Sequence, residues 1–380
     1  MGRIEKTINK INRSIVGKDE MKRVIGVLKS GLLSRPAGGP VVHEFQKLMA
    51  KMHGRKYAYA VTSGTSALHL AILALELKER DEIIVPALAN IADCSVVIQE
   101  RAKPIFADIN TETFNIDPED IKRKITPNTK AIIAVHMYGE PVEINKIRTI
   151  ARKNNLILIE DCAQAAGARY RGQYVGSFGD ISCFSFYQTK HIITGEGGIL
   201  LTDSERWFRI IDSLANNGIK KENLDAYDYN RLGYNYQMTE IQAALGIAQL
   251  KKLDKLNKIR RQNAAIYKEQ LKDTDIVFQK TSIDTENVYF YLTGLLPEHL
   301  VGKREEFLTR TKKKGLPVKN LYPLPLPTVE LFKGKATDDC PIAENICKRL
   351  FNLYVNPGLS EKDIIEFSNI IKKVYRDLEK

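Results

Sequence analysis

The sequence predicts an α/β protein in two parts. Residues 1–255 form a large domain on a mostly parallel sheet covered by helices on both faces, and residues 256–380 form a smaller C-terminal α/β domain. Three observations lead there. At 380 residues the chain exceeds the size at which a single hydrophobic core stops growing. Short β-branched apolar runs alternate with stretches of helical periodicity through the first two thirds of the chain. From about Thr274 the composition changes, and Pro323, Pro325 and Pro327 punctuate a loop.

In order, residues 1–35 read as amphipathic helix ending at Gly31, and Val42–Met52 as a helix with Phe45, Leu48 and Met52 on one face. Tyr57–Thr62 is a short strand that runs through Ser63-Gly64-Thr65-Ser66 into a helix over Ala67–Leu77. Strands follow over Glu82–Val85, Pro104–Ala107, Ala131–Val135 and Leu156–Ile159, separated by helices at Asn90–Glu100, Pro118–Lys124 and Ile144–Asn154. Ile181–Tyr187 and Ile199–Leu201 are apolar strands flanking a glycine-rich turn. Helices are then expected over Ser204–Asn216, Met238–Leu250, Asp254–Leu271, Arg304–Lys314 and Glu361–Leu378, the last capped by Ser360. One further strand is expected over Val288–Leu295.

The hydrophobic fraction of 43% and charged fraction of 27% fit a globular protein, and no apolar run approaches membrane-spanning length. The five cysteines show no metal-ligand spacing, so no metal is expected. Cys94, Cys162 and Cys183 lie in or beside apolar runs, as buried thiols in a reducing cytoplasm would. The net charge of +12 fits either a lysine-rich solvated surface or an anionic partner. The basic clusters lack the interleaved aromatics of a single-strand nucleic-acid binder.

Three places carry chemistry. The strand–turn–helix at Ser63–Ser66 is an ordinary serine N-cap in form, and equally a ready phosphate site, since free N–H groups and the helix dipole meet there. Asp161 follows ILIE at a buried strand end, where it either caps the next segment or serves as a counter-ion, with Gln164 three residues on. Lys190 sits between the two apolar strands; it is a solvated hairpin lysine, or a desolvated amine with lowered pKa able to form a Schiff base.

Four segments in order, TSGTSAL, EDCAQAAGA, GDISCFSFYQTKHIITGEGG and LGYNYQMTEIQAALG, resemble the DegT/DnrJ/StrS family of nucleotide-sugar aminotransferases. The resemblance spans nearly the whole chain. It implies the fold type I of pyridoxal phosphate (PLP) enzymes, the aspartate aminotransferase-like fold, as a cytoplasmic homodimer with shared active sites. It implies transfer of an amino group from an amino acid, L-glutamate, to a nucleotide-linked keto sugar. Lys190 then bonds the cofactor aldehyde and moves protons, and Asp161 pairs with the pyridine nitrogen. Gln164 lies near the phenolic oxygen, Gly64, Thr65 and Ser185 hold the phosphate, and Asn235 reaches it from the partner subunit. Asn90 stands where relatives stack an aromatic ring, and Pro327-Thr328 stand where a histidine is frequent. A sugar dehydratase of the same family would carry histidine in place of Lys190. Other PLP chemistry on this fold would share Lys190 and Asp161. A regulatory nucleic-acid binder would need neither residue.

Overall fold

The computed structural model describes residues 15–219, 228–316, 318–332 and 339–380. Its centre is a seven-stranded sheet of β1 (Tyr57–Val61), β2 (Glu82–Pro86), β3 (Lys103–Ala107), β4 (Thr129–Val135), β5 (Ile157–Asp161), β8 (Ile181–Ser185) and β9 (Gly198–Thr202). The order across it is β1-β9-β8-β5-β4-β2-β3. The neighbours from β3 to β8 pair in parallel, whereas β9 runs antiparallel to both β8 and β1.

A parallel sheet buried on both faces needs apolar residues at consecutive positions, and the strands supply them. Ile83, Val85, Ile133 and Ile159 enter one hydrophobic cluster, while the alternate residues Ile84, Ile132, Ala134 and Leu158 enter another. The helix Pro40–His53 closes a third cluster, pressing Phe45 and Met49 towards Ala60, Phe186 and Ile199.

After β9 the chain passes through the helices Glu205–Ala215, Glu240–Leu250 and Leu253–Gln270. A smaller antiparallel sheet follows, built from β10 (Val277–Phe278), β12 (Leu292–Leu295) and β13 (Leu350–Leu353). Tyr267, Phe307, Phe351 and Phe367 form its core with the helices Arg304–Lys313 and Glu361–Leu378. The predicted boundary at 255/256 falls inside the helix Leu253–Gln270. The central-sheet cluster also takes in Leu295, Phe332, Ala343 and Ile346, from beyond that boundary.

Several elements differ from expectation. The predicted N-terminal helix is seen over Lys18–Ser30, and its residues 1–14 lie outside those described. The helix after Ser63 spans Gly64–Leu73: the Ser63 hydroxyl caps it from the Ser66 N–H, and Glu76 beyond its end adopts φ 53°. The segment Val288–Tyr291 is not strand. Val288 and Phe290 donate their N–H groups to the Gly139 and Tyr138 carbonyls, and Tyr289 turns at φ 47°, so ladder pairing starts only at Leu292. Short pairs β6 (Arg169–Tyr170), β7 (Gln173–Tyr174) and β11 (Thr285–Glu286), with the helix Pro341–Arg349, escape sequence reading because each is short or begins at a proline. Among the described residues no helix is long and apolar enough to cross a membrane.

β5 ends at Glu160 and Asp161, the two acids expected at its end. Glu160 is fully buried and accepts N–H bonds from Gly176, Phe178 and Gly179 at 2.8, 2.8 and 2.6 Å, with His136 Nε2 at 3.2 Å. These donors replace the water that a carboxylate loses inside a sheet. Glu160→Gln turns an amide group towards these donors and is expected to lower stability by about 3 kcal/mol. Urea unfolding at neutral pH measures it, and an unchanged midpoint contradicts this account of the strand end.

Candidate functional site

The carboxyl ends of β2, β5 and β8 and the start of the helix Gly64–Leu73 converge on one cavity of about 260 Å³. Open sheets gather ligand sites at such ends, where side chains leave the ladder and the loops diverge. Gly64, Thr65, Asn90, Asp161, Gln164, Ser185 and Lys190 all line it. Asn235 does not: in this subunit it is exposed and bridges Asn216. A larger opening of about 660 Å³, beside Arg55 and Ile157, holds none of the expected site residues.

The floor is an anion cradle. The Gly64 and Thr65 N–H groups have no acceptor among the described residues, as the first turn of a helix dictates. A Cβ on Gly64 would fall 2.6 Å from the Ser185 Cβ, so only glycine lets the helix end approach β8 this closely. Gly198 on β9 performs the same service behind it, since a Cβ there would meet the Ser63 carbonyl oxygen at 2.3 Å.

Lys190 follows β8, its own N–H bonded to the Tyr187 carbonyl at 2.8 Å and its Nζ 4.4 Å from the centroid of the Phe290 ring. Burial pushes its pKa down to about 8, against the upward pull of the Asp161 and Asp93 carboxyls. Its amine therefore gives up a proton far more readily than a solvated lysine. Asp161, 4% exposed at the end of β5, accepts the Ala163 N–H at 2.8 Å. Gln164 is held at both ends: Oε1 accepts the Tyr138 N–H at 3.0 Å, and Nε2 donates to the Tyr322 hydroxyl at 2.8 Å. Asn90 accepts the Ala92 N–H at 2.9 Å through Oδ1, with Tyr322 beside it.

Sequence reading missed three residues at this site. Phe290 lay in a segment taken for strand, and Tyr322 in the proline-punctuated loop, where no site residue was singled out. Asp93 was taken as one position of an ordinary helix, although an acid inside the apolar run IADCSVV was a usable signal. Where relatives were expected to carry histidine, Pro327 is buried in a short 3₁₀ turn over Leu326–Thr328.

His136, Glu160 and Cys162 are close enough together to suggest a metal. Two of the three are already engaged: His136 Nδ1 accepts the Val142 N–H at 3.1 Å, and Glu160 receives the N–H groups described above. Burial, together with the Glu160 and Asp161 charges, raises the Cys162 thiol well above its ordinary pKa, which disfavours the thiolate a metal requires.

Because Lys190 titrates near 8 when folded and near 10.4 when unfolded, the unfolded chain binds more protons between those values. Its contribution to stability therefore rises with pH across that window. Lys190→Met is expected to be more stable than the wild type at pH 7, with the gap closing as pH rises from about 8 to above 10. Urea titrations of ligand-stripped protein at both ends test this, and a gap independent of pH contradicts the depressed pKa.

The chain is similar to known proteins along its length. It is 36% identical over 364 residues to a GDP-perosamine synthase of Escherichia coli O157:H7, covering 96% of this chain and 97% of that one. It is 35% identical over 326 residues to a UDP-N-acetyl-3-dehydro-alpha-D-glucosamine 3-aminotransferase of Acidithiobacillus ferrooxidans, covering 86% of each. Its fold superposes on the crystal structure of DesV from S. venezuelae, solved in complex with a ketimine intermediate, with a TM-score of 0.87, 28% identity and 94% of each chain covered. The model of one family matches residues 14–373, and the chain belongs to it: the DegT/DnrJ/EryC1/StrS aminotransferase family.

Proposed function

We propose that the protein is a PLP-dependent aminotransferase that moves the amino group of an amino acid, L-glutamate, to the carbonyl of a nucleotide-linked keto sugar. The observation that carries this reading is the meeting of a desolvated lysine, a buried carboxylate and an anion cradle in one cavity. PLP fits what is there. The orphaned N–H groups of Gly64 and Thr65 and the Ser185 hydroxyl match a phosphate, and the glycine at 64 leaves the room a side chain would fill. Asp161 would face the pyridine nitrogen, and Gln164, immobilised by Tyr138 and Tyr322, would lie beside the ring oxygen.

When bound, PLP supplies an aldehyde and a ring that withdraws electrons from the carbon bearing the amino group. The chain supplies the rest. Lys190 Nζ takes the proton from the amino-acid carbon and returns it at the next position, as base and then acid. A pKa of about 8 suits both directions near neutral pH. Asp161, held by the Ala163 N–H, would keep a positive charge on the ring nitrogen it faces. The surplus of positive charge, +12, favours a diphosphate-bearing substrate. Both named relatives above act, by their names, in nucleotide-sugar chemistry.

The protein works as a homodimer in the cytoplasm. Exposed Asn235 would complete the phosphate cradle of the partner subunit, and the five free cysteines, all buried, suit a reducing compartment.

Two outcomes are expected. The purified protein with PLP shows a visible absorption band that fades on addition of L-glutamate, and Lys190→Ala lacks the band and loses at least about 100-fold in turnover. A band indifferent to glutamate reassigns the donor, and no band after reconstitution ends the enzymatic reading. Mixing Lys190→Ala with Asn235→Ala subunits under exchange restores about a quarter of wild-type sites, because random pairing gives half heterodimers with one intact site each. No recovery on mixing removes Asn235 from the shared site.

A further inference from the structure

Asp93 has no part in the chemistry above, yet it is fully buried in the first turn of the helix Ala92–Gln99. No N–H or hydroxyl group makes a well-formed hydrogen bond to either of its carboxyl oxygens. What its side chain does meet is another carboxyl, that of Asp161. Two ionised carboxylates only accept, so buried neighbours of this kind can pair only if one of them holds a proton.

The surroundings decide which one. Asp161 has a backbone donor, the Ala163 N–H, and opens on the cavity that Lys190 shares. Asp93 lies behind it and away from the cavity wall. Burial, then the Asp161 charge, hold the Asp93 acid well above the carboxylate range, and the Asn90 N–H and Lys190 offset this only in part. The other titratable groups facing Asp93 are Cys94 on its own helix, Cys183 on β8 and Tyr322 from the proline-rich loop. Burial raises the pKa of all three, so they are neutral. The charges then balance as one lysine cation, one Asp161 anion and one neutral acid.

We propose that Asp93 is a proton-carrying positioning residue, which donates a hydrogen bond to Asp161 and so fixes the orientation and charge of the carboxylate assigned to the cofactor's ring nitrogen. The proposal rests on the PLP reading of the cavity. A carboxylate held by both Asp93 and Ala163 cannot swing away from the cavity, so it would keep one oxygen directed at the ring nitrogen.

The test uses three readouts on the full-length protein. Infrared difference spectra of the ligand-stripped wild type against Asp93→Asn, at neutral pH, should show the carbonyl band of a protonated carboxylic acid that the variant lacks. Asn keeps an N–H donor, so its PLP affinity should stay within about threefold of wild type. Asp93→Ala, or Asp93→Leu if the alanine variant does not fold, should bind PLP roughly tenfold more weakly, the loss of one hydrogen bond to a charged group. The visible band of the PLP-bound alanine or leucine variant should also titrate at a pH different from that of the wild type and Asp93→Asn. No acid band in the wild type, or an unaltered affinity and titration without the donor, overturns the proposal while PLP binding stands. A wild type that binds no PLP, with or without Lys190, overturns the cavity reading and this proposal together.

Discussion

The site depends on the carboxyl end of β5, where two acids stand side by side inside a seven-stranded sheet. Successive side chains of a strand point to opposite faces, so Glu160 and Asp161 cannot share partners. Glu160 gathers the N–H groups of Gly176, Phe178 and Gly179 and thereby fixes the chain just before β8. β8 in turn delivers Ser185 and, beyond it, Lys190. The structural acid thus sets where the lysine arrives, and its neighbour is left free to meet it. Neither task could be moved one residue along without sending both side chains to the wrong face.

Charge is spent sparingly around that point. A lysine beside a carboxylate would normally be a firm cation, because the acid stabilises the ammonium. Here burial outweighs that pull, and the pKa falls to about 8. Phe290 lends its ring face to Nζ, an attraction that costs no further anion. The outcome is an amine held near its own titration point at working pH, which a fully paired or fully solvated lysine would not be. The left-handed turn at Tyr289 that ends strand pairing there is part of the same arrangement, since it accompanies the bonding of Phe290 to the Tyr138 carbonyl.

The sheet was legible in the sequence because a parallel strand buried on both faces must be an uninterrupted apolar run, and AIIAV or ILI can be little else. The anion cradle was legible because SGTS combines a capping hydroxyl with a glycine at the helix start. Lys190 and Asp161 could be singled out, but residues alone left each with an ordinary alternative. Their proximity is a product of sheet order: β5 and β8 are neighbours, yet 19 residues separate Asp161 from Ile181. Phe290 and Tyr322 were not read for the same reason: each acts through a contact distant in sequence and carries no local pattern of its own. Asp93 did carry one, an acid inside an apolar run, but what it faces is again set by the fold. The expected division at 255/256 has no clean counterpart in the packing, because the helix Pro341–Arg349, far beyond it in sequence, buries Ala343 and Ile346 in the cluster of the central sheet.

Asn90 shows how the remaining departure is accommodated. An aromatic at this position would hold a ring by stacking, a contact worth about 1 kcal/mol and tolerant of sliding. Asn90 instead accepts the Ala92 N–H, and beside it Tyr322 fixes Gln164, so this corner of the cavity is organised by directional hydrogen bonds. Those bonds depend on the loop that carries Tyr322. Its start is tied to the small sheet, where the Leu321 N–H donates to Asn352 Oδ1 at 3.0 Å. Its end is tied to the central sheet, where the Leu326 N–H donates to the Ala87 carbonyl at 2.7 Å. The loop therefore spans both sheets and hands their relative placement to Gln164. Whatever ring or side chain stands at position 90, the cavity answers to the smaller sheet through one tyrosine.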